Sequence, residues 1–265
     1  QVMKRTPLLA SWAPLLLGAF AGGAAAAGSV TQTVGGLSIT VTDLGLLPNG
    51  GTSAQAYAIN NSGRIVGMAT DAGFALHRVH WDAASGTIIG ELPNLDPAST
   101  AVPEAINDNH EVAGTERIRS GLYYGVYWDT SGTVHALRPI LGGLTTLVMA
   151  HGISNNGWIA GRSQEGAPNY HGHAVIWRSP DGDPMDLGFL GTGNYSEAYD
   201  VNDLGQVVGV ANNGGASLGF LWREGQGYTN LGSLTGPTTG ASIAHAVNNT
   251  GMIVGTSNGG YLPVM

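Results

Sequence analysis

The chain has no cysteine, so no disulfide can staple its fold. Charge is scarce: Asp, Glu, Lys and Arg make up 11% of 265 residues, against about 25% in an ordinary soluble domain. Lysine stops at Lys4. Beyond Arg5 the strong bases are Arg64, Arg78, Arg117, Arg119, Arg138, Arg162, Arg178 and Arg223. Eighteen acids outnumber them, and the formal net charge is −8. An acidic surface repels phosphate backbones and anionic lipids, which argues against a nucleic-acid partner. After residue 28 no segment is long and apolar enough to span a membrane as a helix. What is abundant is glycine, 43 residues, without the three-residue period of collagen. Low charge and many β-branched residues argue against disorder. Glycine at this level favours tight turns over helices, so the expectation is an all-β domain.

The first stretch reads differently from the rest. Lys4 and Arg5 precede an apolar run from Leu8 to Phe20, followed by the small residues Ala21 to Gly28. This order is that of a secretory signal peptide. A membrane helix is the alternative, but the run is short for one and contains Pro14. The expected organisation is a signal peptide over residues 1–28, with Gln1 and Val2 as upstream or artefactual residues. A single domain then fills 29–265. The expected location is secreted or periplasmic.

Repeats dominate that domain. The segments AYAINNSGRIVG from Ala56, PEAINDNHEVAG from Pro103, AHGISNNGWIAG from Ala150, AYDVNDLGQVVG from Ala198 and AHAVNNTGMIVG from Ala244 are copies of one pattern. Their fifth residue is Asn60, Asn107, Ser154, Asn202 or Asn248, a period of about 47 that belongs to four-stranded propeller blades. In each unit a first strand ends at Ile59, Ile106, Ile153, Val201 or Val247. An Asn-rich turn follows, closed by Gly63, Gly157, Gly205 or Gly251. His110 takes that place in the second unit, which hints at strain. A second strand ends in a further glycine, a third in Trp81, Trp128, Trp177 or Trp222, and a fourth carries the Asp-Leu-Gly type of Asp43–Gly45 and Asp186–Gly188. The fold expected is a five-bladed β-propeller. Its last blade, Tyr261–Met265 included, would be completed by the strand at Leu37–Leu46, since an open ring leaves edge strands unpaired. A truncated larger ring is the alternative. The tryptophans read as wedges between blades, with a sugar-stacking stripe as the other reading.

This unit resembles the bacterial extracellular HAF repeat, on His77-Arg78-Val79 before Trp81 and His173-Ala174-Val175 before Trp177. The triplet degrades to Tyr124-Gly125-Val126 and Leu218-Gly219-Phe220 in two units. The resemblance covers most of residues 37 to 260. It implies an exported repeat protein and no particular reaction.

Function in a repeat protein is expected where the copies differ. Two places before the recurring Ile or Val stand Tyr57, Glu104, His151, Tyr199 and His245. If the first strand is innermost, these form a ring around the axis that could take a polar ligand, or simply plug the channel. A second variable place is Arg64, Glu111, Trp158, Gln206 and Met252. A metal could be held by His151, His245 and Glu104, or a local pair could form from His171 and His173. Asp181-Gly182-Asp183 with Asp186 resembles a calcium turn only loosely. No cofactor is expected beyond that possibility of calcium. Gly215-Ala216-Ser217-Leu218-Gly219 fits the G-x-S-x-G nucleophile motif, with His245 and Asp200 or Glu197 as partners to test, but no helix pattern follows it. The reading is an exported monomeric module that binds carbohydrate or another small polar ligand at the channel mouth. The alternative is a secreted glycosidase or esterase with weak catalytic candidates in Ser217, Glu104 and His245.

Overall fold

The structure is a computed structural model that describes residues 29–48, 50–140, 147–236, 240–257 and 262–264. The segment read as a signal peptide lies outside the described residues. The described chain is all β, and none of it is α-helical. A hairpin comes first, β1 (Ser29–Val34) with β2 (Leu37–Thr42). The first repeat sheet is β3 (Ser53–Ile59), β4 (Arg64–Thr70), β5 (Leu76–Asp82) and β6 (Ile88–Glu91). The second is β7 (Thr100–Ile106), β8 (Val112–Arg117), β9 (Tyr123–Trp128) and β10 (Val134–Ala136). The third is β11 (Val148–Ile153), β12 (Ile159–Gln164), β13 (Gly172–Trp177) and β14 (Met185–Asp186). The fourth is β15 (Ser196–Val201), β16 (Val207–Asn212), β17 (Ser217–Arg223) and β18 (Gly227–Gly232). The fifth has three strands, β19 (Ser242–Val247), β20 (Ile253–Ser257) and β21 (Leu262–Val264). Each is an antiparallel meander in chain order, and the first strand of each later sheet packs on the sheet before it.

The core lies in the joints between sheets. Trp81, Trp128 and Trp177 are fully buried, which makes them wedges and not an exposed sugar-stacking stripe. Trp128 packs with Val66, Leu92, Ala101 and Ile106 across the joint of the first two sheets. Trp177 does the same with Leu137, Val148 and Ile153 in the next. Burying an indole requires an acceptor for its N–H. The chain just past the preceding fourth-strand place supplies it: Trp81 donates to the Gly45 carbonyl at 2.9 Å, Trp128 to Pro93 at 2.7 Å and Trp177 to Arg138 at 2.8 Å.

The Asn-rich turns build a second set of joints. In each turn the first polar side chain accepts the backbone N–H four residues on, as Asn60 does from Arg64 and Asn107 from Glu111, both at 2.9 Å. Its amide then reaches the next sheet: Asn60 to the Asn107 carbonyl, Asn107 to that of Ser154, and Asn202 to that of Asn248, at 2.9–3.0 Å. The following residue adds a rung, from the N–H of Asn61 to Asp108, Asp108 to Asn155, Asn155 to Asp203 and Asp203 to Asn249. The turn ends in the left-handed region at Gly63, Gly157, Gly205 and Gly251, and also at His110, with φ of 69°. The strain read from the sequence at His110 is present.

The expected seam differs. β2 pairs with β1 through the two-residue turn Gly35-Gly36, both at positive φ, a geometry that suits the twist of a short hairpin. It does not complete the fifth sheet, where among the described residues β21 pairs with β20 alone. Leu44 and Leu47 instead cover Trp81, which needs both that apolar face and the Gly45 carbonyl. Ile59 is 60% exposed, whereas its counterparts Ile106, Ile153, Val201 and Val247 are buried. Among the described residues, no sheet covers β3 as each later first strand is covered.

Candidate functional site

The variable place of each unit is a β-bulge. The strand register shifts between Ala56 and Ala58, Pro103 and Ala105, Ala150 and Gly152, Ala198 and Asp200, and Ala244 and Ala246. The residues left unpaired are Tyr57, Glu104, His151, Tyr199 and His245. A bulge re-aims the side chain that it carries. It also explains the repeated glycine opposite. A Cβ on Gly67, Gly161, Gly209 or Gly255 would lie 2.0 Å from the carbonyl oxygen of Gln55, Met149, Glu197 or Ile243, and one on Gly114 would lie 2.1 Å from that of Val102.

Four of the five bulge side chains form a continuous row. Glu104 meets His151 at Nδ1, 2.6 Å away. The His151 and Tyr199 rings are 5.5 Å apart, and those of Tyr199 and His245 are 5.8 Å apart. Tyr57 stands apart on the uncovered β3, its hydroxyl donating to Gln55. The row has a further partner outside the bulge places. Glu197 holds His151 Nε2 at 2.9 Å and also accepts from the Tyr195 hydroxyl. Arg162 reaches Tyr195 at 3.0 Å and Glu197 at 3.5 Å. Burial pushes the His151 imidazole down, but hydrogen bonds and charge from Glu104 and Glu197 outweigh it and raise the pKa to about 9. Burial likewise would raise Glu197, yet His151, Tyr195 and Arg162 hold its carboxyl below the usual range. His151 is therefore an imidazolium clamped between two carboxylates. Glu197 was legible as an oddity: its place holds Gln55, Val102, Met149 and Ile243 in the other copies.

One side of this row opens into a cavity of about 540 Å³ between the second and third sheets. It is lined by Thr100, Val102 and Glu104 of β7, Thr115 and Arg117 of β8, Arg119 beyond it, Tyr123 and Met149. The Arg117 guanidinium lies 5.9 Å from the centre of the Tyr123 ring. A volume of this order suits one or two sugar rings or another small polar molecule.

The remaining candidates disperse. Ser217 opens β17, exposed and paired with Asn212, and β17 runs on through Arg223 as a strand. Among the described residues, no hydrogen bond joins Ser217 to His245, Asp200 or Glu197. The strand-to-helix turn that gives the motif its meaning is absent there. Asp200 is spent otherwise: its carboxylate accepts the N–H of Val201 at 2.9 Å and of Val247 at 2.8 Å. Its burial raises its pKa to about 6 against those two hydrogen bonds. Both ring nitrogens of His151 are engaged by carboxylates, which leaves neither for a metal. His173 lies between Asp186 at 2.9 Å and Glu165 at 3.1 Å, while His171 faces Glu165 at 3.4 Å. Asp183 turns to Arg138, so the acids read as a calcium turn do not converge. No group of three metal-binding side chains gathers among the described residues. The second variable place serves the turns: Glu111 accepts from Asn107 and Tyr127, and Trp158 lies under the Arg178 guanidinium. No described helix is long and apolar enough to cross a membrane.

No protein-family model and no curated protein matches this chain. Among solved structures it is similar to a mutant of the Aleuria aurantia lectin in complex with alpha-methyl-L-fucoside. The identity is 10%, with 82% of this chain and 96% of that chain covered and a TM-score of 0.32.

Proposed function

We propose that this chain is a binding module whose site is the bulge row Glu104–His151–Tyr199–His245 with the adjoining cavity, and that its ligand is a saccharide or another small polar molecule. One observation carries the reading. Every repeat spends a bulge and a glycine on re-aiming one side chain, and that side chain differs between copies. Constant backbone with variable side chains is the pattern of a presentation scaffold. Glu104 joins the row to the cavity. Its Oε2 is held by His151, and a carboxylate has further lone pairs with which to accept sugar hydroxyls. A hydrolase using His151 as a base lacks a free ring nitrogen, which favours binding over turnover.

The same reading takes the repeat sheets as blades of a five-bladed propeller of HAF type, supported by the common period and the chain-order packing. It takes the protein as exported, supported by the basic, apolar and small-residue order of residues 4–28. A screen of immobilised mono- and disaccharides, followed by calorimetry, tests the binding function. The expected result is a saccharide ligand whose affinity falls at least tenfold in Glu104→Gln and is unchanged in Ser217→Ala. A screen without any binder, or a ligand indifferent to Glu104→Gln, would sink it.

A further inference from the structure

Charge accounting around the cavity narrows the ligand. Glu104 and Glu197 are matched by the His151 imidazolium between them and by Arg162 on Glu197. That cluster is neutral as it stands. Arg117 and Arg119 face the same cavity, both exposed, and among the described residues neither has a carboxylate within ion-pair distance. Arg64, Arg78 and Arg223 likewise lack a carboxylate at that distance among the described residues, but Arg117 and Arg119 are the two arginines that line this cavity. Arg138, Arg162 and Arg178 each find an acid. The acid nearest in sequence, Glu116, is buried and turned away. It accepts the backbone N–H groups of Leu95 and Asp96 and the Ser99 hydroxyl, fixing the loop before β7. Two guanidiniums two residues apart are thus left at the mouth of a cavity with no counter-ion.

The corresponding place in the next joint shows what fills such a space. Arg162 stands in repeat phase with Thr115, and Glu197 with Met149. There the protein's own carboxylate occupies the joint and pairs with an arginine. In the joint of the second and third sheets Met149 brings no charge, and the cavity is open.

Resting on the binding reading above, we infer that the cavity takes an acidic saccharide: a sugar whose carboxylate is bound by Arg117 and Arg119 and whose hydroxyls are bound by Glu104. Guanidinium forks match carboxylates in a bidentate geometry, and the apolar atoms of Val102 and Met149 offer a face for a sugar ring. Neutral sugars would use only the Glu104 half of the site.

The test is calorimetry on the full chain with two disaccharides that differ only in a terminal uronate against the neutral hexose. The uronate is expected to bind at least tenfold more tightly, and to weaken as salt is raised. Arg117→Gln with Arg119→Gln should erase that preference, bringing the two disaccharides to the same affinity. Because both side chains are exposed, thermal unfolding should be unchanged, which separates loss of the ligand from loss of the fold. Equal affinity for the two disaccharides overturns the acidic class but keeps the binding function. A uronate preference that survives the double variant overturns the assignment to these arginines. Binding of neither sugar, with no binder in the wider screen, overturns the binding function itself. If inorganic sulfate displaces the uronate and binds with the same affinity, the site recognises a bare anion, and the saccharide inference fails.

Discussion

The joint of the second and third sheets and the joint of the third and fourth are built from the same backbone and do different things. Both have a bulge, a glycine opposite and an indole tied to the preceding segment or packed beside it. In the later joint Arg162, Tyr195 and Glu197 fill the space and clamp His151 from one side. In the earlier joint Thr115 and Met149 leave it open. The exchange of Thr115 for Arg162 and of Met149 for Glu197 between repeats therefore separates a cavity from a locked polar contact. A repeat scaffold can vary its ligand chemistry at a joint without altering the strand register.

The largest effect should come from the feature that the two joints share. Gly161→Ala places a methyl group 2.0 Å from the Met149 carbonyl, a contact that only a shifted strand can relieve. A loss of about 3 kcal/mol or more is expected in chemical denaturation, at the upper end for overpacking. Gly215→Ala, where no atom lies within 4 Å and φ is not positive, should change stability by under about 0.5 kcal/mol. If both variants behave alike, the account of the bulge is wrong.

Next comes the clamp. His151→Leu leaves Glu104 and Glu197 facing each other without the cation, and a cost of about 3 kcal/mol is expected from breaking a buried ion pair. Its pH dependence has a definite sign. The folded pKa of about 9 lies above the ordinary 6.5, so the stabilisation is complete below about pH 6.5 and is lost as pH rises through about 9. Urea midpoints of the parent should fall over that window. In His151→Leu that component of the fall should vanish, and its persistence would place the titration elsewhere.

The smallest effect sharpens the comparison. Ser154 is the one turn residue without an amide, so the joint from the third sheet to the fourth lacks the rung that Asn60, Asn107 and Asn202 supply to their neighbours. Ser154→Asn should add a hydrogen bond to the Asn202 carbonyl and about 0.5–1 kcal/mol. A thermal midpoint that stays level or falls would mean that this joint's spacing is already set by the Arg162–Glu197 contact.

The bulge places were legible in the sequence because variation inside a constant frame can be read from the copies alone. That they are bulges was not, since a bulge is a relation between two strands. Glu197 and Arg162 show the same limit. Each is a polar residue in a place that is apolar or uncharged in the other copies, a visible anomaly. Only strand pairing brings them together on His151. Ser217 shows the converse: a motif complete in letters and empty in context, because the residue opens β17, which runs on as a strand where the motif needs a strand-to-helix turn. The seam also depended on geometry. Leu37–Leu46 carries a fourth-strand pattern, but Gly35-Gly36 allowed its beginning to fold back on β1, while Trp81 drew its end onto the first sheet.

Periodicity by itself determined the all-β class, the number of repeats, the Asn turns and the tryptophan wedges, because those follow from spacing and side-chain character along one strand. Tertiary structure alone decided why the repeated glycine must be glycine, which carboxylates charge His151, and where a cavity remains. The first depends on the pairing of neighbouring strands 12 positions apart, and the other two on residues about 47 positions apart in successive sheets, neither of which chain-local pattern can fix.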